Sequence, residues 1–128
     1  MRAIFAIALF GLPAACADET LTGYANPEAV YVLEEIDGAT FAARATIQFN
    51  EPGRIAGEAP CNRYSGAQDA PYPWFKPGPL AVTKRACPDL AAEGAFLEAL
   101  SAMRLAEVSG PVLILSTESG REMVFRAE

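Results

Sequence analysis

The sequence predicts an α+β domain in which a single helix packs on an antiparallel β-sheet. Three observations support this fold class: short β-rich segments end at turn sequences, one segment alone has helical periodicity, and two cysteines lie within the part of the chain expected to fold. Once a short leader is removed, roughly 110 residues remain, which is enough for one domain with its own hydrophobic core. No repeat, linker or low-complexity tract divides it.

The N-terminal half contains three segments typical of β-strands. Residues 30–36 are β-rich and end at Asp37-Gly38, a dipeptide that favours a tight turn. Residues 44–50 alternate between apolar and polar side chains, which predicts a half-buried strand. Residues 54–59 follow as a third strand, where small side chains around Gly57 indicate close backbone approach in a curved sheet. In 44–50 the expected buried face is Ala45, Ile47 and Phe49, and the expected outer face is Arg44, Thr46, Gln48 and Asn50.

The middle of the chain, residues 60–79, is dense in proline, glycine and aromatic residues. This composition predicts a long ordered loop, because proline removes backbone donors from helices and central strands. Within the loop we expect Asn62 to hydrogen-bond its own turn, Tyr64 to keep its hydroxyl in water, and Gly66 to adopt a left-handed conformation. A short strand is expected at residues 80–83.

The C-terminal part begins with the one predicted helix, over residues 89–104. Pro88 suits the start of this helix because its missing N–H is not needed there. Two hairpin signals follow, with strands expected at residues 105–108, 112–117 and 122–126. The helix is expected to bury Leu90, Phe96, Leu97, Ala99, Leu100 and Met103, and to expose Gly94, Glu98 and Ser101.

Residues 1–17 are predicted to be a secretory signal peptide, because Arg2 precedes an apolar run that is too short to span a bilayer. Two processing routes fit. Ala15-Cys16-Ala17 matches a signal-peptidase site, whereas residues 12–16 resemble a lipobox that would make residues 1–15 the signal and lipidate Cys16, although Pro13 stands where leucine is wanted. Residues 18–29 would then be a tether and residues 30–128 the domain. Either route predicts a periplasmic or cell-envelope location, with membrane contact only through a lipid on Cys16.

Export leaves Cys61 and Cys87 as the two cysteines of the folded domain, and an oxidising compartment would join them. A redox pair or a catalytic nucleophile is the competing interpretation. The chain has no C-x-x-C motif and no histidine to generate a thiolate, so a structural disulfide is favoured.

Charge and composition exclude several functions. The chain has 10 basic and 16 acidic residues, and loss of Arg2 with the leader leaves a net charge of −7, which disfavours nucleic acid and anionic lipid surfaces. The absence of histidine removes the commonest general base and metal ligand. The carboxylates of Glu34, Glu35 and Asp37 fit no calcium-loop spacing. We therefore expect a monomer with no enzymatic activity, no metal and no cofactor.

The remaining candidates for binding are Arg63 and the aromatic residues Tyr72, Trp74 and Phe75. Arg63 is a charged residue within an otherwise structural turn, so it either is solvated, forms a local ion pair or faces a ligand. The aromatic residues either cover the open end of the sheet or form an exposed recognition surface for an unknown envelope protein or small ligand, with Arg63 beside them.

Several short motifs occur together in this chain: Gly57, residues 61–66, Leu80, Thr83, Ala86-Cys87 and residues 96–100. In this order they resemble the META domain, the family of the bacterial heat-shock protein HslJ. The resemblance extends from about Val30 to Phe125. It implies a curved, half-barrel-like antiparallel sheet with one helix, in an exported or lipid-anchored protein associated with stress and envelope phenotypes, with no established enzymatic activity. Pro60 departs from the family, which has glycine there, and Tyr31 stands where tryptophan is frequent.

Overall fold

The computed structural model describes residues 17–128 and has two antiparallel sheets and one α-helix. The predicted leader and Cys16 lie outside the described residues, apart from Ala17. In the described part, no helix is long and apolar enough to cross a membrane. The elements are a 3₁₀ turn (Leu21–Gly23), β1 (Tyr31–Ile36), β2 (Ala39–Thr40), β3 (Thr46–Ile47), β4 (Arg54–Glu58), β5 (Arg63–Ala67), β6 (Ala81–Val82), α1 (Leu90–Ala102), β7 (Leu105–Ser109), β8 (Val112–Ser116) and β9 (Glu122–Ala127).

The larger sheet has six strands and brings the two ends of the domain together. Its order is β2-β1-β9-β8-β7, and β3 pairs with the other end of β1. Tyr31 of β1 lies opposite Ala127 of β9, so the first and last long strands are neighbours. The smaller sheet has the order β4-β5-β6 and meets the larger one through an isolated bridge between Gln48 and Ala56. The predicted α+β class with antiparallel strands and one helix is confirmed, and the strands form two unclosed sheets.

The core lies between the sheets and α1. The helix buries Phe96, Ala99 and Leu100, and Met103, the residue after its end, is also buried, as the periodicity predicts. The ring of Tyr64 meets that of Phe96 edge-on at a centroid distance of 5.5 Å, which ties the smaller sheet to the helix. Residues 18–29, which the sequence predicts as a tether, contribute Leu21, Ala25 and Ala29 to this core.

Strand β3 differs from its prediction in length and in which faces are buried. Only Thr46 and Ile47 of the predicted 44–50 segment form a strand. Ala45, Ile47 and Phe49 are buried as expected, but Thr46 is only 1 % exposed although it belongs to the predicted outer face. The smaller sheet covers it, because Glu58 donates its N–H to Thr46 Oγ1 at 2.9 Å. The alternation of apolar and polar residues correctly predicted one buried face of the strand. At Thr46 the opposite face is buried as well, because the smaller sheet packs on it.

The loop predicted for residues 60–79 contains β5, the middle strand of the smaller sheet, so that part of the prediction is wrong. The prolines responsible for the prediction lie outside the strand: Pro60 precedes it, and the other four, from Pro71 to Pro79, follow it. Residues 68–80 do form a loop. Gln68 orders it by accepting the N–H groups of Ala70 and Lys76 at 3.1 and 2.7 Å.

The helix is two residues shorter at its C-terminal end than predicted and begins at Leu90. Leu90 itself is 47 % exposed, although the sequence places it on the apolar stripe. Glu93, one turn later, is only 6 % exposed. A charged residue therefore occupies part of the buried face of the helix.

Candidate functional site

The signature segment around Cys61 is joined to the start of α1 by a disulfide. Cys61 and Cys87 form the predicted bond, with their Cα atoms 5.6 Å apart, within the range usual for disulfides. Cys61 precedes β5 by two residues, and Cys87 precedes α1 by three residues. The pairing expected from the cysteine count is confirmed.

Asn62 is the centre of a hydrogen-bond network beside the disulfide. Its side-chain nitrogen donates to Arg85 O at 3.0 Å and to Glu93 Oε2 at 2.7 Å. Its side-chain oxygen accepts from Arg85 N at 2.6 Å and from Thr83 Oγ1 at 3.0 Å. Asn62 therefore bridges to residues 21–31 positions away, whereas the sequence predicted a bond within its own turn.

Glu93 completes this network and was not recognised in the sequence. Its Oε1 accepts the backbone N–H groups of Cys61 at 3.0 Å and Asn62 at 2.8 Å, in addition to the contact of Oε2 with the Asn62 side chain. Two backbone donors and one amide donor converge on a nearly buried carboxylate, an arrangement that meets the requirement that buried charge be hydrogen-bonded. The available signal was a glutamate at helical spacing between two apolar stripe positions, Leu90 and Phe96.

Tyr64 and Gly66 have roles that differ from those predicted. Tyr64 donates its hydroxyl to Thr46 O at 2.6 Å, so the hydroxyl is buried rather than wet. Burial raises the pKa of this hydroxyl, because the phenolate would lose its hydration. Gly66 lies within β5 and is not among the positive-φ glycines of residues 17–128. A Cβ atom there would approach Leu80 Cδ2 to 2.8 Å and the backbone atom Pro79 O to 3.2 Å, so the glycine lets residues 79–80 pack closely on β5.

Arg63 and Arg85 both line a polar hollow of about 440 Å³ at the open side of this network. Both residues are exposed, and within residues 17–128 neither forms an ion pair. None of the aromatic loop residues Tyr72, Trp74 and Phe75 lines this hollow, so it does not place Arg63 beside them. The hollow is lined by Glu58, Ala59, Pro60, Cys61, Asn62, Arg63, Thr83 and Arg85.

The aromatic loop divides between core and surface. Phe75 is fully buried, and its N–H donates to Arg104 O at 2.8 Å. Tyr72 is half-buried, stacks on Tyr24 with a centroid distance of 4.3 Å and accepts the N–H of Val108 at 3.2 Å. Trp74 alone points outward and is 51 % exposed. Both predicted alternatives therefore occur in one loop: Phe75 covers the core, and Trp74 is exposed.

Trp74 lines a second hollow, which is mainly apolar and has a volume of about 610 Å³. Its backbone is held in place because its N–H donates to Pro71 O at 2.8 Å and because it bridges to Leu105 of β7. The rim carries charge of both signs, from Lys76, Arg104 and Glu118. The hollow is lined by Ala70, Pro71, Trp74, Phe75, Lys76, Arg104, Thr117, Glu118 and Ser119.

Two of the three carboxylates considered as a calcium site, Glu34 and Asp37, form ion pairs with arginines of the C-terminal segment. Asp37 accepts from Arg121 at 3.2 Å, and Glu34 accepts from Arg126 at 3.1 Å. The N–H of Glu122 and the Arg121 guanidinium hold the pKa of Asp37 below its usual range. Within residues 17–128, no group of three or more potential metal-binding side chains converges.

Comparison with known proteins identifies the family. The META domain family model matches residues 20–128. A protein from Burkholderia xenovorans solved by NMR is 23% identical, with a TM-score of 0.63 over 84% of this chain and 86% of that one. A second NMR structure is 22% identical, with a TM-score of 0.60 over 78% and 89% of the two chains.

A third solved structure is more distant. The crystal structure of a DUF4847 family protein from Bacteroides vulgatus is 19% identical, with a TM-score of 0.55 over 64% of this chain and 57% of that one. These likenesses support the fold alone, and no curated protein matches the sequence. The family model covers most of the chain and includes the disulfide, the Asn62 network and α1, in agreement with the resemblance drawn from the sequence. The chain therefore belongs to the META domain family.

Proposed function

We propose that this chain is a non-enzymatic exported protein of the cell envelope, in which a disulfide-stabilised META domain serves a stress-related role. The observation that carries the proposal is the Cys61–Cys87 disulfide. Disulfides persist in oxidising compartments such as the periplasm and are rare in the cytosol. The predicted signal peptide at residues 1–17 supports the same location, and the stress-related role follows the family resemblance.

The bonding of the polar groups near the disulfide supports a non-catalytic role. The side chain of Asn62 bonds to those of Thr83 and Glu93, and all three also bond to backbone groups, so their polar atoms already have partners. A general base or nucleophile needs an accessible atom within reach of a substrate. A reproducible hydrolase or transferase activity of the purified domain, lost on changing one surface residue, would overturn this part of the proposal.

Export is tested by expressing the full chain in a bacterium with two membranes and measuring the mass of the mature N-terminus. We expect either a lipidated N-terminus at Cys16 or a free one at Asp18, in the envelope fraction, with Cys61 and Cys87 protected from alkylation. The Cys16→Ser variant distinguishes the routes, because it blocks processing only if Cys16 is lipidated. An unprocessed chain with reduced cysteines in the cytoplasmic fraction would contradict export.

A second candidate function is a periplasmic binding or inhibitor module that uses the aromatic loop. The observation that favours it is the exposed Trp74 on a rigid loop, at the edge of a mainly apolar hollow of about 610 Å³. Concave apolar sites with a few polar groups at the rim are the usual form of small-ligand sites. Trp74 and the charged groups of Lys76, Arg104 and Glu118 would suit a ligand, or part of an envelope protein, with an apolar body and a charged end.

Trp74 is the one tryptophan of the chain, so its fluorescence reports on this site alone. We expect strong quenching by acrylamide, because half of the side chain is exposed. The dye anilinonaphthalene sulfonate, which has an apolar body and an anionic group, should bind with energy transfer from Trp74. Substitution Trp74→Ala should abolish dye binding and leave stability nearly unchanged, whereas Tyr24→Ala should retain dye binding. A shielded indole, or dye binding that survives Trp74→Ala, would exclude this candidate.

A further inference from the structure

Only some of the basic side chains described in this acidic protein form ion pairs. In residues 17–128, Arg44, Arg54, Arg121 and Arg126 each pair with a carboxylate. Arg104 donates to the carbonyl groups of Ser101 and Met103 at the end of α1. The other four basic residues form no ion pair in this part of the chain, and three of them lie beside the disulfide: Arg63, Lys84 and Arg85.

Two of these cations face one hollow. Arg63 and Arg85 both line the polar hollow of about 440 Å³ next to the disulfide. Glu58 is the one acidic residue in its lining and lies opposite Arg63 in the register of β4 and β5. Its carboxylate lies 3.8 Å from Arg44 Nε, so another cation shares its charge. The hollow therefore carries a local excess of positive charge on a protein of net charge −6.

Hydrogen bonds hold the backbone N–H and carbonyl groups of both arginines. Arg63 N donates to Thr83 Oγ1 at 3.0 Å, and Thr83 N donates to Arg63 O at 3.0 Å. Arg85 is held at both its N–H and its carbonyl by the Asn62 side chain, at 2.6 and 3.0 Å. The disulfide flanks the pair, two residues before Arg63 and two after Arg85. A rigid base reduces the entropy lost when the two side chains close on a ligand.

We propose that this hollow binds a phosphoryl group, held between the guanidinium groups of Arg63 and Arg85. Each guanidinium presents a planar fork of donors that matches two oxygens of a phosphate or carboxylate. One arginine is sufficient for a carboxylate, whereas the three terminal oxygens and the higher charge of a phosphoryl group suit two. The Thr83 hydroxyl contributes no donor, because it already donates to Asn62.

The hollow has room for more than a lone phosphate, because its volume of about 440 Å³ is many times the roughly 30 Å³ that one water molecule occupies. The ligand class is therefore a phosphomonoester or the phosphate of a lipid headgroup, with further atoms in the remaining space. Binding should be weak and should decrease with added salt, because both guanidinium groups are exposed and the rest of the surface is acidic.

The test uses glycerol 3-phosphate as the soluble probe and vesicles as the lipid probe. The probe is titrated at constant ionic strength while the side-chain Nε–H signals of the arginines are followed by NMR. We expect saturable shifts of Arg63 and Arg85, with the Arg54 signal unchanged. In the lipid arm, sedimentation is compared for phosphatidylcholine vesicles with and without phosphatidylglycerol. Saturation by glycerol 3-phosphate indicates a soluble phosphomonoester, and binding only to phosphatidylglycerol vesicles indicates a headgroup.

The variants are R63Q, R85Q and the double substitution, with R54Q as the matched control at an exposed arginine in another hollow. We expect each single variant to lose several-fold in affinity and the double variant to lose at least about tenfold, as expected for two charge-assisted contacts. R54Q should bind as the parent chain does. The proposal is wrong if neither probe gives saturable binding, or if binding persists in the double variant. The parent-chain Nε–H titration decides the question even if a variant folds poorly.

Discussion

Substitution Glu93→Ala is expected to lower the free energy of unfolding by roughly 3 kcal/mol, because it leaves three donors near the disulfide without an acceptor. These donors are the N–H groups of Cys61 and Asn62 and the side-chain amide of Asn62. In a domain of this size the change corresponds to a decrease in Tm of roughly 10 to 15 °C. Chemical denaturation monitored by circular dichroism measures it.

Two variants test the cause of that loss. Glu93→Gln keeps an oxygen for the two backbone donors but turns an amide nitrogen toward Asn62, so we expect about half the effect. Glu98→Ala is the matched control: it lies on the same helix, is exposed, and pairs with Arg121 on the surface. Such pairs contribute little, about 0 to 1 kcal/mol. Equal losses in Glu93→Ala and Glu98→Ala would show that the network around Asn62 does not stabilise the domain.

Loss of the disulfide is expected to lower the free energy of unfolding by roughly 3 to 4 kcal/mol, from the entropy of the loop that it closes in the unfolded chain. Cys61→Ser and Cys87→Ser should destabilise the domain equally, and the double variant should be no worse than either single one, because each removes the same bond. Guanidinium unfolding of the three variants and of the reduced parent protein measures these values. The effect is a large share of the stability of a small domain.

The disulfide prediction has a direct chemical control. Under native, non-reducing conditions both thiols of the parent protein should resist alkylation, and after reduction both should react. Free alkylation of both cysteines in the native protein would contradict the disulfide. Additive losses in the double variant would show that the two cysteines stabilise the fold separately.

Secondary structure was predictable where local pattern and burial agree. The β-rich residues from Tyr31 to Ile36, the Asp37-Gly38 turn and the C-terminal hairpins all lie where their patterns predict. The apolar stripe of α1 likewise identified Phe96, Leu100 and Met103 as core residues. Each of these segments buries one face only, so the spacing of its apolar residues is sufficient to predict which side chains are buried.

Predictions failed where two layers of structure meet. Thr46 is buried although alternation assigns it to the outer face, because the smaller sheet covers that side of β3. The Tyr64 hydroxyl is buried at the same place, where it donates to the backbone carbonyl of Thr46. Residues 63–67 form a central strand although prolines crowd the segment after them. Periodicity describes one element at a time, and it does not indicate which other element will pack against it.

The candidate sites show the same division between sequence and tertiary structure. The sequence marked Arg63 and the aromatic loop residues, Trp74 among them, as candidates for binding, and both Arg63 and Trp74 are exposed beside hollows. It did not indicate that they lie in different hollows, or that Arg85 joins Arg63. The partnership between Arg63 and Arg85 depends on strand register and on the Asn62 bonds, which bring residues 22 positions apart together.

The sequence by itself determined the family, the α+β class, the single helix and the pairing of Cys61 with Cys87. Local propensity and periodicity are sufficient for the class and the helix, and the two cysteines left after the leader for the pairing, whereas the family rests on the motif resemblance. Only the tertiary structure decided that Glu93 is the buried acceptor behind Asn62, that Phe75 is core while Trp74 is surface, and that Arg63 faces a ligand-sized hollow with Arg85. These outcomes depend on long-range packing and hydrogen bonding, because each residue type alone suits both a buried and an exposed position.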